Sequence, residues 1–272
     1  SGAITFSGDG SYTFTGKLGA GSGAPAASSG SGTYSVTGSG SVTISDPIQS
    51  TLQVNARLTA DGAVVVGAVT ESADNVYSIV VAVKAPPAGI TNAALNGAYT
   101  GATLEFPRGS SAAVKSAVMG LAANGRGQFA SVRILGHAND GGGRNATQEI
   151  TNATYNLSSD GAGSANFGTA ATLFSGARDV FVSQDGSLLL GASTASGGRD
   201  IFIATRNFSA TAAASSFNGR YWIAELTVTR PGWLSPQFSF SCASGALNAL
   251  GDGRAVLSQR LLQDARPLDF TA

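Results

Sequence analysis

The sequence predicts an all-β protein of two tandem antiparallel modules, each barrel-like or sandwich-like, and three observations carry that prediction. Apolar and polar residues alternate with a period of two along most of the chain. Turn sequences rich in Gly and Asp separate the alternating runs. The whole pattern then recurs after about 120 residues.

The alternation can be followed run by run. In SYTFTGKLG, Tyr12, Phe14 and Gly16 fall on one side and Thr13 and Thr15 on the other. GTYSVTGSGSVTI sets Tyr34 and Val36 against Ser35 and Thr37, turns at Gly38 to Gly40, and resumes with Val42 and Ile44. RDIFIATRN and RYWIAELTVTR read alike. Successive side chains of a strand point to opposite faces, so each run offers one face to bury. The Asp-Gly and Gly-x-Gly steps between runs favour the positive φ angles of hairpin turns. Helical signals are thin. SAAVKSAVMGLAANG at 111–125 is Ala-rich but lacks a 3.6-residue stripe, and SQRLLQDARPL near the C-terminus is a weaker candidate.

The repeat emerges from matches in one order at near-constant spacing. SQDGSLLLGAST repeats TADGAVVVGAVT, with Asp185 lying 124 residues after Asp61. Tyr155 in ATYNL follows Tyr34 in GTYSV by 121, and IFIATR (201–206) follows IVVAVK (79–84) by 122. A third copy opens with FNGRYW at 217–222, which lies 122 residues after LNGAYT at 95–100. Gly-x-Gly recurs at Gly8–Gly10, Gly125–Gly127 and Gly251–Gly253. A period this long suits a whole small barrel or sandwich rather than one blade or coil of a solenoid.

Residues 95–210 form the complete copy and the second module. Residues 1–88 lack its opening strands and 217–272 hold little beyond them, so the two segments together make up the first module. The C-terminal strands are expected to close that module, because an unclosed sheet leaves a long apolar edge. A fragment of a longer array is the other organisation the pattern allows. KAPPAGITNAA (84–94) and NFSATAAASS (207–216) read as the linkers.

Composition narrows the function. Charged residues are only 12% of the chain, and 16 basic side chains balance 16 acidic ones. Nucleic acid, whose phosphates require a concentrated basic surface, is not an expected partner. No apolar stretch approaches the roughly 20 residues of a spanning helix, so membrane insertion is not expected. The single cysteine, Cys242, sits in an apolar, Ser-rich strand and reads as a small buried thiol. The chain starts inside an alternating run at SGAITFSGDG, which is expected if an upstream leader has been removed.

AITFSGDGSYTFTG, GSGTYSVTGSGSVTISDP, LNGAYTGATLEFP and VSQDGSLLLGASTASGGRD together resemble the repeated N-terminal regions of large secreted proteins of Acidobacteria of the Solibacter type. The resemblance covers most of the chain through strand and turn signatures. It implies export, to the cell surface or beyond it, and it assigns no catalytic residue.

The residues that could carry chemistry are few. A Ser-His-Asp triad would need His137, the only histidine, and Gly-x-Ser-x-Gly does not occur. His137, followed by Asp140 and three glycines, reads as the start of a surface loop, and a histidine-based zinc site lacks ligands. The glutamates Glu71, Glu105, Glu149 and Glu225 would have to furnish any glycosidase pair, yet they alternate with apolar residues as solvated strand positions do. The Asp-Gly turns at Asp61, Asp160 and Asp185, with Asp9 and Asp252 in Gly-Asp-Gly, are too scattered to form a calcium loop. No cofactor or metal is expected, and GAGSGAPAASSGSG and NDGGGR read as flexible connections rather than phosphate loops. The sequons at Asn145, Asn152, Asn156 and Asn207 matter only in a host that glycosylates them.

Aromatic residues give the strongest binding signal. Tyr221, Trp222, Arg230 and Trp233 cluster in RYWIAELTVTRPGW, and alternation sends Tyr221 and Trp222 to opposite faces. An exposed ring beside an arginine suits a sugar-binding or protein-binding patch; rings plugging a barrel end are the bland alternative. The sequence therefore predicts a secreted or cell-surface, non-enzymatic structural or binding protein, with carbohydrate or another surface protein as partner. A secreted hydrolase of polysaccharide or ester substrates is the alternative, and a lipocalin-like carrier follows only if a barrel is hollow.

Overall fold

The computed structural model describes residues 1–19, 23–46, 49, 51–69, 78–139, 145–169, 172–207, 211–229, 239–263 and 266–271. Among them the regular elements are β-strands and three-residue 3₁₀ turns, with no α-helix. The Ala-rich stretch near 115 is the strand β9, and SQRLLQDARPL contributes to two strands. The chain divides into two compact units. One comprises Ser1, Gly16–Ser28 and Val83–Asn207; the other comprises Gly2–Thr15, Ser29–Ala82 and Phe208–Ala272.

The unit containing 83–207 is a closed antiparallel barrel. Its strands are β8 (Asn96–Glu105), β9 (Lys115–Asn124), β10 (Gln128–Ala138), β11 (Asn145–Ile150), β12 (Ala153–Leu157), β13 (Ala162–Asn166), β14 (Ala177–Val182), β15 (Leu188–Ser193) and β16 (Asp200–Arg206). Each pairs with the next in a meander, except that β11 and β12 both pair with β10, and β16 returns to pair with β8. β11 and β12 follow one another along the same edge of β10, through Val132↔Ile150 and then Phe129↔Ala153. They therefore act as one interrupted stave, and the barrel has eight.

The buried half of each alternating strand fills this barrel. Met119 and Leu121 from β9, Phe129, Val132 and Ile134 from β10, Tyr155 from β12 and Phe202 from β16 all enter one cluster. Along it the rings make a chain: Phe129 stacks on Phe167 at 5.6 Å, Phe167 meets Phe174 edge-on at 4.8 Å, and Phe174 lies 5.8 Å from Phe202. Each ring so enclosed contributes roughly 1.5–3 kcal/mol. These buried side chains form one continuous cluster within the barrel.

A charged pair lies inside, Arg178 with Asp200. Arg178 is 1% exposed, and its Nε donates to Asp200 Oδ2 at 2.8 Å. It also donates to the Ser175 carbonyl, faces Glu105 at 3.9 Å and sits 3.7 Å above the Phe174 ring. A buried guanidinium is tolerable only when it is paired in this way.

The other unit contains two sheets. β1 (Gly2–Phe6), β2 (Ser11–Leu18), β3 (Ala26–Val36), β4 (Ser41–Ser45), β5 (Gln53–Leu58), β6 (Val64–Ala68) and β7 (Ile79–Val83) form a seven-stranded meander. The far end of its β2–β3 hairpin belongs to the barrel unit. Tyr12, Phe14, Val42, Ile44, Val54, Ala56 and Val69 form its core, on the faces that alternation assigns. β17 (Asn218–Thr229), β18 (Ser239–Leu250), β19 (Ala255–Gln263) and β20 (Arg266–Thr271) form a four-stranded meander. β17 and β18 pack against β6, where Cys242, Ala68 and Leu226 meet.

The repeat is written into the backbone. Both glycines of each Gly-x-Gly have positive φ: 87° and 94° at Gly8 and Gly10, 72° and 94° at Gly125 and Gly127, and 74° and 90° at Gly251 and Gly253. Gly62 and Gly186 turn the equivalent Asp-Gly hairpins at φ 69° and 67°. Their surroundings differ. A Cβ on Gly62 would meet nothing, whereas one on Gly186 would collide with the Ala94 carbonyl and the Arg206 side chain.

Two expectations follow from these contacts. Gly62→Ala should cost only the left-handed strain of about 1–2 kcal/mol, and Gly186→Ala distinctly more, measured as urea midpoints on the two variants. Asp200→Asn, which leaves Arg178 only the more distant Glu105 as a carboxylate partner, should cost up to about 3–5 kcal/mol in the same assay.

Candidate functional site

The aromatic strand β17 carries the candidate site. Its alternation separates neighbouring rings as expected: Tyr221 is opposite Leu247 and Trp222 opposite Ala246 on β18. Tyr221 stacks on Phe217, with centroids 4.6 Å apart and planes inclined at 28°. On the other face the half-buried Trp222 has two guanidiniums against its ring, Arg57 of β5 at 4.6 Å and Arg220 at 5.4 Å. The Arg57 guanidinium also bonds the Ser41 hydroxyl, and Arg220 Nε donates to Asn248 Oδ1 at 3.2 Å. Each cation held against an indole contributes about 0.5–2 kcal/mol and fixes the ring's orientation. Arg230 and Trp233 lie outside the described residues.

The sequence singles out Tyr221 and Trp222 but not their neighbours. Phe217 had a signal, because it occupies in FNGRYW the position of Leu95 in LNGAYT. Arg57 had none, since nothing in QVNARL announces a ring so distant in sequence.

The remaining candidates take other places. His137 is exposed near the end of β10, opposite Asn145 and Ser116, and so belongs to a strand rather than a loop; Asp140 lies outside the described residues. Glu105 is not a solvated strand residue, because it faces the buried Arg178. Glu149 pairs with Arg133 at 3.9 Å, Glu225 accepts from the Thr227 hydroxyl at 2.5 Å, and Glu71 lies outside the described residues. Among the described residues no cluster of three or more His, Cys, Asp or Glu stands ready for a metal. Nor, among the described residues, is any helix long and apolar enough to cross a membrane.

The turn aspartates share one task. Asp9, Asp61, Asp160, Asp185 and Asp252 each accept the backbone N–H two residues ahead, at 2.9–3.1 Å. The carboxylate thus stands in for a turn's own hydrogen bond. The Ser187 amide and the Ser183 hydroxyl hold Asp185 well below the usual carboxylate range, at about 2. The Ser7 hydroxyl, followed by Ser11, does the same for Asp9.

A second concave feature lies on the outer face of the barrel. Gly120 leaves a gap between Thr100 and Arg133, flanked by the exposed Val118 and Leu135, and opens a shallow depression of about 500 Å³. It has an apolar floor and an Arg133–Glu149 rim, with no ring to stack on a ligand.

Fold and site together define an all-β protein of barrel modules with an aromatic–arginine strand at its C-terminal sheet. Comparison with protein-family profiles, with curated proteins and with solved structures finds no match.

A depressed carboxyl pKa stabilises the fold above its unfolded value and ceases to do so once the folded group protonates. Asp185→Asn should therefore lower stability at pH 6, and its difference from the wild type should fade as pH falls from 3.8 towards about 2. Urea unfolding across that window measures it.

Proposed function

We propose that this chain is a secreted or cell-surface β-module protein with a non-enzymatic role in structure and binding, and that it binds carbohydrate through the Trp222 face of β17. The observation that carries the reading is the half-buried Trp222 with the guanidiniums of Arg57 and Arg220 against its ring. The half-buried indole leaves only part of its surface open to a sugar, and the two guanidiniums against it favour carboxylate or sulfate substituents at that opening. Acidic polysaccharide is therefore the favoured class of ligand.

The surrounding chemistry agrees with binding rather than turnover. The turn aspartates are occupied by backbone amides, and Glu105 faces an arginine. Export rests on the resemblance to secreted acidobacterial proteins.

The test is a glycan array probed with the purified chain and with Trp222→Ala, Arg57→Ala and Trp233→Ala. Saturable binding to acidic oligosaccharides is expected, weakened about tenfold or more by Trp222→Ala, a change of about 1.4 kcal/mol. No binding to any glycan, or binding indifferent to Trp222, overturns the reading.

A further inference from the structure

The third copy of the repeat exposes residues that the second copy buries. In the barrel, the 3₁₀ turn Asn92–Ala94 leads through Leu95 into β8, and Leu95 and Tyr99 are both 0% exposed. The Tyr99 hydroxyl donates to the Gly186 carbonyl at 2.7 Å, and Arg206 donates to the tyrosine oxygen from Nε at 3.1 Å and Nη2 at 3.0 Å. The 3₁₀ turn Ala214–Ser216 enters β17 in the same way. Leu95 and Phe217 have φ −100° and −102°, and Gly97 and Gly219 share φ 107°. Phe217 and Tyr221 therefore hold the places of Leu95 and Tyr99, yet they are 49% and 36% exposed. The Tyr221 hydroxyl reaches only the nearby Asn218 carbonyl, at 3.4 Å.

The seven-stranded sheet shows the complementary deficiency. β1 to β7 repeat the staves from β9 to β16, and Gly62 and Lys84 stand where the barrel has Gly186 and Arg206. Among the described residues this sheet has no counterpart of β8, and β1 and β7 are its edges. β17 is such a counterpart by sequence, cap geometry and tyrosine position.

Within one molecule β17 and β18 are engaged through their opposite face. Leu226 and Cys242 meet Ala68, the Cys242 thiol donates to the Val69 carbonyl at 2.9 Å, and Trp222 lies under Arg57. Tyr221, on the alternate side of β17, is left outward.

We propose that the Phe217–Tyr221 face of β17 docks on the seven-stranded sheet of a second copy of this chain. β17 there takes the stave position beside β7 that β8 takes beside β16. The Tyr221 hydroxyl then donates to the Gly62 carbonyl of the second copy, with that copy's Lys84 beside the ring. Strand addition at a sheet edge supplies the backbone hydrogen bonds, and the ring pair supplies the apolar anchor. Each copy offers one donor strand and one acceptor edge, so the association is head-to-tail and open-ended.

The test is the mass of the full chain by size-exclusion chromatography with light scattering, over a wide concentration range. The wild type should pass from its 27.0 kDa monomer to larger species as concentration rises. Phe217→Asp with Tyr221→Asp should hold the chain at the monomer mass with its far-UV spectrum retained. A synthetic peptide of residues 217–229, added in excess to the wild type, should return the assemblies to monomer, and this readout decides alone if the double variant misfolds. A wild type that is monomeric throughout overturns the proposal, as do assemblies that persist both in a folded double variant and in excess peptide.

Discussion

An antiparallel sheet has two edges, and the fate of those edges governs everything else in this protein. In the barrel, the pairing of β16 with β8, running from Asp200↔Glu105 to Arg206↔Tyr99, removes both edges at once. That closure turns the apolar half of every alternating strand inward, so the aromatic axis is a consequence of it. Arg206 beside Tyr99 is where backbone closure and side-chain packing meet. The second unit uses the same strands without this closure, and its composition of two meanders follows.

Closure also explains the buried charge. Asp200 opens β16 and Glu105 ends β8, so the seam itself brings two carboxylates together opposite β14. Arg178 neutralises them from β14 while its flat guanidinium covers Phe174. A cation at this point joins the seam to the aromatic axis. It ties the pairing most distant in sequence to the chain of aromatic rings.

Much of the architecture was legible in the sequence because it rests on local rules. Period-two alternation placed Tyr12, Phe14, Val42 and Ile44 on a buried face, where the structure has them. The recurring glycines marked turns because only positive φ suits those positions. The Ala-rich stretch that becomes β9 was ambiguous, since Ala and Val fit either period until a neighbouring strand fixes them; β8 and β10 do so from either side. The site was less legible. Alternation separated Tyr221 from Trp222, but Arg57 meets Trp222 only through tertiary packing. Arg178 looked like one more scattered arginine, because burial of a charge is decided by partners far away in sequence.

Cys242 is 0% exposed, its hydrogen is committed to the Val69 carbonyl, and burial pushes its pKa up. While β18 stays against β6 the sulfur is protonated and shielded, and so inert towards oxidants and alkylating reagents. Its rate of modification therefore reports how often those two strands part. The chain carries a built-in clock for the opening of one specific seam, silent in the closed state and readable without any added label.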